Sequence, residues 1–200
     1  MRIQPLRLTL RETTATALID AAERVAARDG LASANLQAIA EQAGVAVGTI
    51  YNYFEDKDRL FDALFTRRRE GLLTEIDAAT KQLRAEPFAD QLNGFIRAVF
   101  AYFDVHRDFL RIQFEDQRVH AVKGEDTKRG TAAQQLHERA MHVVRVGIRE
   151  KRLGDCGAEL LATILMSIIR GVLMARADGD QAMAPDAERV AALFLHGAAK

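Results

Sequence analysis

The chain has 200 residues, 28 of them Lys or Arg and 28 Asp or Glu, and 48% of it is hydrophobic. That length and apolar content support one large domain, or a small domain joined to a larger one, so disorder is not the default. Zero net charge excludes a uniformly basic nucleic-acid binder. Residues 1–70 are also balanced, with 10 basic and 10 acidic side chains, so any DNA-binding face must come from local clustering.

Abundant Ala, Leu, Arg and Glu and only 3 prolines favour helix throughout. Arg2, Arg7 and Arg11 interrupt the first apolar residues, so no signal peptide is expected. A first helix is predicted over 13–29, with Ala17, Leu18, Ala21, Ala22 and Val25 at helical spacing and Gly30 as its stop. A second runs from Leu36 to Ala43 behind the N-cap Asn35 and ends at Gly44. A short third covers 47–53, and a long fourth starts near Asp56 and reaches about Leu83.

Pro87 starts the next helix, whose stripe is Phe88, Leu92, Phe95, Ile96, Val99 and Phe103. Phe109, Ile112 and Phe114 lie on a shorter helix, and 119–130 reads as a loop. Helical pattern resumes to Leu153, and helices at about 158–177 and 186–198 close the chain. The apolar run Leu160–Met174 is broken by Thr163, Ser167 and Arg170 and reads as too short and too polar for a membrane span. The fold class is therefore all-α with about nine helices. An N-terminal unit, 1–55, precedes a larger helical unit, 56–200.

The stretch from Asn35 to Phe54 carries the functional signal. Ile39 faces inward, and Ala40 is small enough for a second helix to cross closely. Gly44 supplies the left-handed residue that a tight inter-helix turn requires, and Val45 fills the corner. Ile50 and Phe54, four apart, hold the following helix to the core. Val47, Gly48, Thr49, Tyr51, Asn52 and Tyr53 are then left on the outer side, the layout of a recognition helix in a major groove.

Ile39-Ala40, Ala43-Gly44-Val45, Gly48-Thr49-Ile50-Tyr51, Tyr53-Phe54 and Lys57-Asp58 followed by Leu60 closely resemble the TetR family of transcriptional regulators. Ile19, Ala21, Ala22 and Gly30 sit at the family's spacing, so the resemblance covers about residues 12–70. It implies a cytoplasmic all-α homodimer, a ligand-responsive repressor whose first three helices bind double-stranded operator DNA. The C-terminal region would dimerise and hold a small-molecule pocket. By position, Thr49 and Tyr51 would meet DNA, with Asn52 and Tyr53 as further contacts and Lys57 clamping a phosphate. Asn35, Ala46, Val47 and Gly48 complete the candidate DNA-binding set. Many members carry Ser or Thr where Ala46 stands, so a helix cap worth about 1 kcal/mol is missing here.

Several residues admit two readings. Tyr51 and Tyr53 are core aromatics or DNA contacts, though one helix face cannot bury both beside Ile50 and Phe54. Lys57 is a phosphate clamp or a solvated lysine. Arg2, Arg7 and Arg11 are an arm over the DNA backbone or a disordered tail. Arg67, Arg68 and Arg69 read as a solvated helix face.

The sole cysteine, Cys156, reads as buried or incidental and excludes an intrachain disulfide. His137 and His142, five apart, are poorly placed for a shared metal, so no metal and no cofactor is expected. No phosphate loop, nucleophile elbow or His-Glu-x-x-His pattern favours an enzyme.

Phe95, Val99, Phe103, Phe109, Phe114, Met141 and Met166 are plain core or the lining of an apolar pocket. His106, His142, Arg145 and Arg170 would be its polar anchors. The expected effector is a small apolar or amphipathic molecule with one acidic or hydrogen-bonding end. Leu161, Leu165, Ile168 and Val172, with Val190, Leu193 and Phe194, are expected to form a four-helix dimer interface.

Overall fold

The computed structural model describes residues 4–123, 130–154 and 156–198, with side chains for 11–116, 134–154 and 156–197. Nine α-helices and one 3-10 turn make up the regular structure of the described residues. They are α1 (Gln4–Asp29), α2 (Leu36–Ala43), α3 (Val47–Tyr51), α4 (Lys57–Gln82) and α5 (Phe88–Val105), then α6 (Arg107–Lys123), α7 (Gly130–Arg149), α8 (Ala158–Arg176) and α9 (Ala187–Ala198). α1 begins nine residues earlier than the apolar pattern marks. α6 runs past Phe114 to Lys123, through part of the segment expected to be a loop, and residues 124–129 of that expectation lie outside the described residues.

α1 packs on α2, α4 and α6 through Leu18, Ala21, Ala22, Val25 and Ala26, all essentially inaccessible to solvent. Small alanines let three helices approach this one seam closely. α5 is the centre of the larger half. Phe88, Leu92, Phe95, Ile96, Val99 and Phe100 are fully buried among α4, α7 and α9. Each buried Phe or Leu contributes about 1.5–3 kcal/mol relative to exposure. Phe95 and Val99 therefore face solid core. Gly147 on α7 is required at the closest point, where a Cβ would stand 2.6 Å from the Phe88 ring.

The basic run on α4 is no solvated face. Arg68 pairs with Glu23 at 2.5 Å and with Asp20 at 3.1 Å, and Arg67 reaches Asp20 at 3.4 Å, pinning α4 to α1. Burial pushes the Glu23 carboxyl up, against the opposing pull of Arg68. Tyr102 of α5 donates its hydroxyl proton to the Arg68 carbonyl at 2.5 Å, and burial raises that phenol to about 12. Asp104 accepts the Met183 and Ala184 N–H groups at 2.9 Å and so holds the 3-10 turn before α9.

By length and composition alone α8 is apolar enough to cross a bilayer, a test that a core helix also passes. Leu161, Ala162, Leu165, Ile169 and Leu173 are buried within the protein. Cys156 is exposed, not buried.

His106, the C-cap of α5, lies 4.4 Å from the Tyr102 ring. Burial, and then the nearby Arg68 charge, hold it below the usual histidine range. The unfolded chain, with a histidine near 6.5, therefore binds this proton more readily than the fold does. Its contribution to stability is complete above that value and is lost as pH falls through it. The melting temperature is expected to drop between roughly pH 7 and 5, and less steeply in His106→Gln, as thermal denaturation across that range will show.

Candidate nucleic-acid interface

Two short helices and the turn between them form the site. Asn35 opens α2, its Oδ1 accepting the Ala38 N–H at 2.9 Å. Gly44 closes it with φ 70 and ψ 32, a left-handed geometry in which a Cβ is strained even where space is open. The Gly44 N–H donates to Glu41 O at 3.1 Å and the Val45 N–H to Ala40 O at 3.0 Å. This paired closure satisfies two carbonyls at the helix end and turns the chain directly into α3. Ile39, Ala40 and Ile50 are buried and fix the crossing.

That packing determines what α3 presents. Ile50 is fully buried, so Tyr51 points outward and is 57% exposed. Ala46, Gly48 and Asn52 are exposed and Val47 and Thr49 half-buried around it. Tyr53 is half-buried, with the Arg11 guanidinium 5.8 Å from its ring centroid, and Phe54 packs against the core. Arg11 thus belongs to a helix, α1, and sits beside the reading surface; Arg2 and the side chain of Arg7 lie outside the described residues. Ala46 stands at the N-cap of α3 with no side-chain hydrogen bond. Lys57, at the start of α4, donates to Ala32 O at 3.1 Å and lies 5.7 Å from the Phe61 ring. The lysine is thereby aimed across the α1–α2 connection, an anchorage that the linear sequence does not display.

A second feature lies behind the interface. A partly open cavity of about 350 Å³ is lined by α4, α6, α7 and α8 with one residue of α5. Phe103, Phe109, Phe114, Met166 and Arg170 of the expected pocket set line it. Phe65, Leu72, Leu110 and Leu173 complete its apolar wall, and Arg69, Gln113, Asp116 and His137 add polar groups. The other expected residues are elsewhere. Phe95 and Val99 are core, His106 borders a separate polar crevice on the α1 side, and Met141 packs partly buried on the core. His142 and Arg145 are exposed on α7. A helix turns 100° per residue, so residues chosen by chain proximity fall on different faces. Arg69 and His137 were missed because only spatial packing brings α4 and α7 to one cavity. Among the described residues, no three His, Cys, Asp or Glu side chains group to hold a metal.

The expected dimer residues also divide. Leu161, Leu165, Val190 and Phe194 are buried within the chain, which corrects their placement at an interface. Leu193 is 68% exposed, and Ile168 and Val172 are half-buried. Leu160 and Ile164, 53% and 42% exposed, lie on the same outer side of α8.

The fold and site define a helical protein with an N-terminal helix-turn-helix suited to a DNA groove. Residues 18–64 match the family described as "Bacterial regulatory proteins, tetR family". The chain is 34% identical over 101 residues to the HTH-type transcriptional regulator BetI of Paraburkholderia phytofirmans, covering 50% of each chain. It is 21% identical over 155 residues to the HTH-type transcriptional regulator YhgD of Bacillus subtilis, covering 76% of this chain and 78% of that one. The chain thus spans about half the length of BetI and most of YhgD. The fold is also that of the transcriptional regulator FadR from Bacillus subtilis, solved with stearoyl-CoA. The TM-score is 0.78 at 19% identity, over 91% of this chain and 98% of that one.

Two substitutions probe the interface. Ala46→Ser supplies the missing cap of α3 and is expected to stabilise the protein by about 0.5–1 kcal/mol, measured by denaturant unfolding. Lys57→Ala is expected to weaken DNA binding across sequences and to reduce the salt dependence by up to about one unit of slope, measured by titration at several salt concentrations. An unchanged slope removes Lys57 from the phosphate contacts.

Proposed function

We propose that the protein is a dimeric, ligand-responsive repressor that reads a pseudo-palindromic operator with α3. The observation carrying this reading is the Gly44 closure, after which Ile50 is buried and Tyr51 of α3 and its C-cap Asn52 are exposed, with Thr49 half-buried on the same helix. Tyr51 and Lys57 serve phosphates, and α3 lies in the major groove.

A dimer would put two such helices into successive grooves about 34–36 Å apart. Leu160, Ile164, Ile168 and Val172 of α8, with Leu193 of α9, supply an apolar outer surface for that assembly. Ile164→Asp leaves the intrachain core untouched and is expected to give a monomer by light scattering at micromolar concentration. Operator affinity should fall with it; a stable dimer would exclude this surface.

The effector reading is supported by the cavity's aromatic wall and by its arginines, Arg69 and Arg170, at one apolar chamber. An amphipathic molecule with an acidic or hydrogen-bonding end suits that lining, and FadR, of the same fold, is solved with stearoyl-CoA. Release follows by linkage. The ligand must bind more tightly to the form whose reading helices are wrongly spaced, and a coupling of about 1–3 kcal/mol lowers operator affinity roughly 5- to 150-fold. The test is to recover the protein's binding fragments from a bacterial genome and measure retention of one such fragment with and without laurate as probe. Specific retention, lost in Tyr51→Ala and weakened by laurate, is expected. Retention equal to that of random DNA would overturn the operator reading, and failure of laurate and similar amphiphiles to bind would overturn the effector reading alone.

A further inference from the structure

Glu115 is on α6, yet it serves the helix-turn-helix. Its two carboxylate oxygens accept the Leu31 N–H at 3.2 and 3.3 Å, across 84 residues of sequence. Leu31 follows Gly30, the left-handed residue that ends α1 with φ 85. The contact is close, since a Cβ on Gly30 would stand 3.3 Å from Oε1 of Glu115. The same connection supplies Ala32 O, which receives Lys57 Nζ at 3.1 Å. A carboxylate of the larger half thus holds the turn from which α2 departs and on which Lys57 is braced.

The residues flanking Glu115 on both sides, Phe114 and Asp116, line the cavity, as do Leu110 and Gln113. α6 therefore has a cavity face and, 100° around the helix, a turn-holding face. Whatever displaces the first must move the second, because a helix shifts as a rigid element. The Leu31 contact is already at 3.2 and 3.3 Å, so a displacement of about an ångström carries it beyond hydrogen-bond range.

We propose that Glu115 is the positioning residue through which the cavity controls the reading head: it latches the α1–α2 turn to α6, and a ligand that shifts α6 releases the turn. The latch stands on the contact itself, while the switch rests on the effector reading above.

The test uses the full chain and begins without ligand. Glu115→Ala is expected to speed hydrogen exchange of the Leu31 amide about tenfold or more and to weaken operator retention about fivefold. Glu115→Gln keeps an oxygen at the same reach and should restore most of both, whereas Glu115→Asp, one methylene shorter, should not. Met166→Trp then fills the cavity from α8 in place of a ligand. It is expected to weaken operator retention in the wild-type background and to add nothing in Glu115→Ala. If the tryptophan variant does not fold by circular dichroism, saturating laurate replaces it. Unchanged Leu31 exchange in Glu115→Ala overturns the latch. An equal effect of Met166→Trp in both backgrounds, or none in either, overturns the switch. Failure of laurate to bind the wild type counts against the effector reading and leaves the Leu31 result standing.

Discussion

α4 is a single uninterrupted helix of 26 residues, roughly 39 Å long, and it belongs to both halves of the protein. Its first turns bury Leu60, Phe61 and Leu64 and its later turns Leu72 and Ile76, and the helix packs on both α1 and α5. Between them Arg68 is fixed to Glu23 and Asp20 on α1, and its carbonyl takes the Tyr102 hydroxyl from α5. Gly71 falls between these contacts, but the helix runs unbroken through it, with the Tyr102 hydroxyl 2.9 Å from where a Cβ would stand. A change of tilt at the cavity end is carried to the Lys57 end, and the alternative of bending α4 would require breaking backbone hydrogen bonds with no Pro to relieve them.

This rigidity gives the polar seam a defined part. Glu23 is buried and its ionisation is opposed by burial, so the pair with Arg68 is a costly arrangement for stability alone. Its reach ties α4 to α1 beside a seam in which Ala21, Ala22 and Ala26 of α1 are buried. Glu115 adds a second tie between the halves, from α6 to the turn after α1. The reading head is thereby held by two connections, one through α4 and one through α6, and both border the cavity through Phe65 and Arg69 on one side and Phe114 on the other.

The helix-turn-helix was legible in the sequence because each of its constraints is local. Asn35 as N-cap, Gly44 in the left-handed region and the outward Tyr51 opposite Ile50 all follow from spacing within twenty residues. The helix starts near Asp56 and Pro87 were likewise marked by caps. The cavity and the interface were only half legible, since a 3.6-residue period reveals that a face is apolar but not what covers it. Leu161 and Leu165 share their helix with Leu160 and Ile164, and only packing on α7 decides that the first pair is inside. Arg67 and Arg68 read as solvated because their partners lie 45 to 51 residues away on α1. Glu115 offered no local signal at all, as its partner is a backbone N–H 84 residues distant.

The central claim is that filling the cavity changes the spacing of two reading heads in a dimer. Spin labels on Gln42→Cys, an exposed position of α2, in a Cys156→Ser background would measure that spacing by pulsed electron resonance. One narrow distance on operator DNA is predicted, displaced to a different distance when laurate occupies the cavity and the DNA is released. An unchanged distance distribution with the cavity filled, or no dipolar coupling between labels, would contradict it.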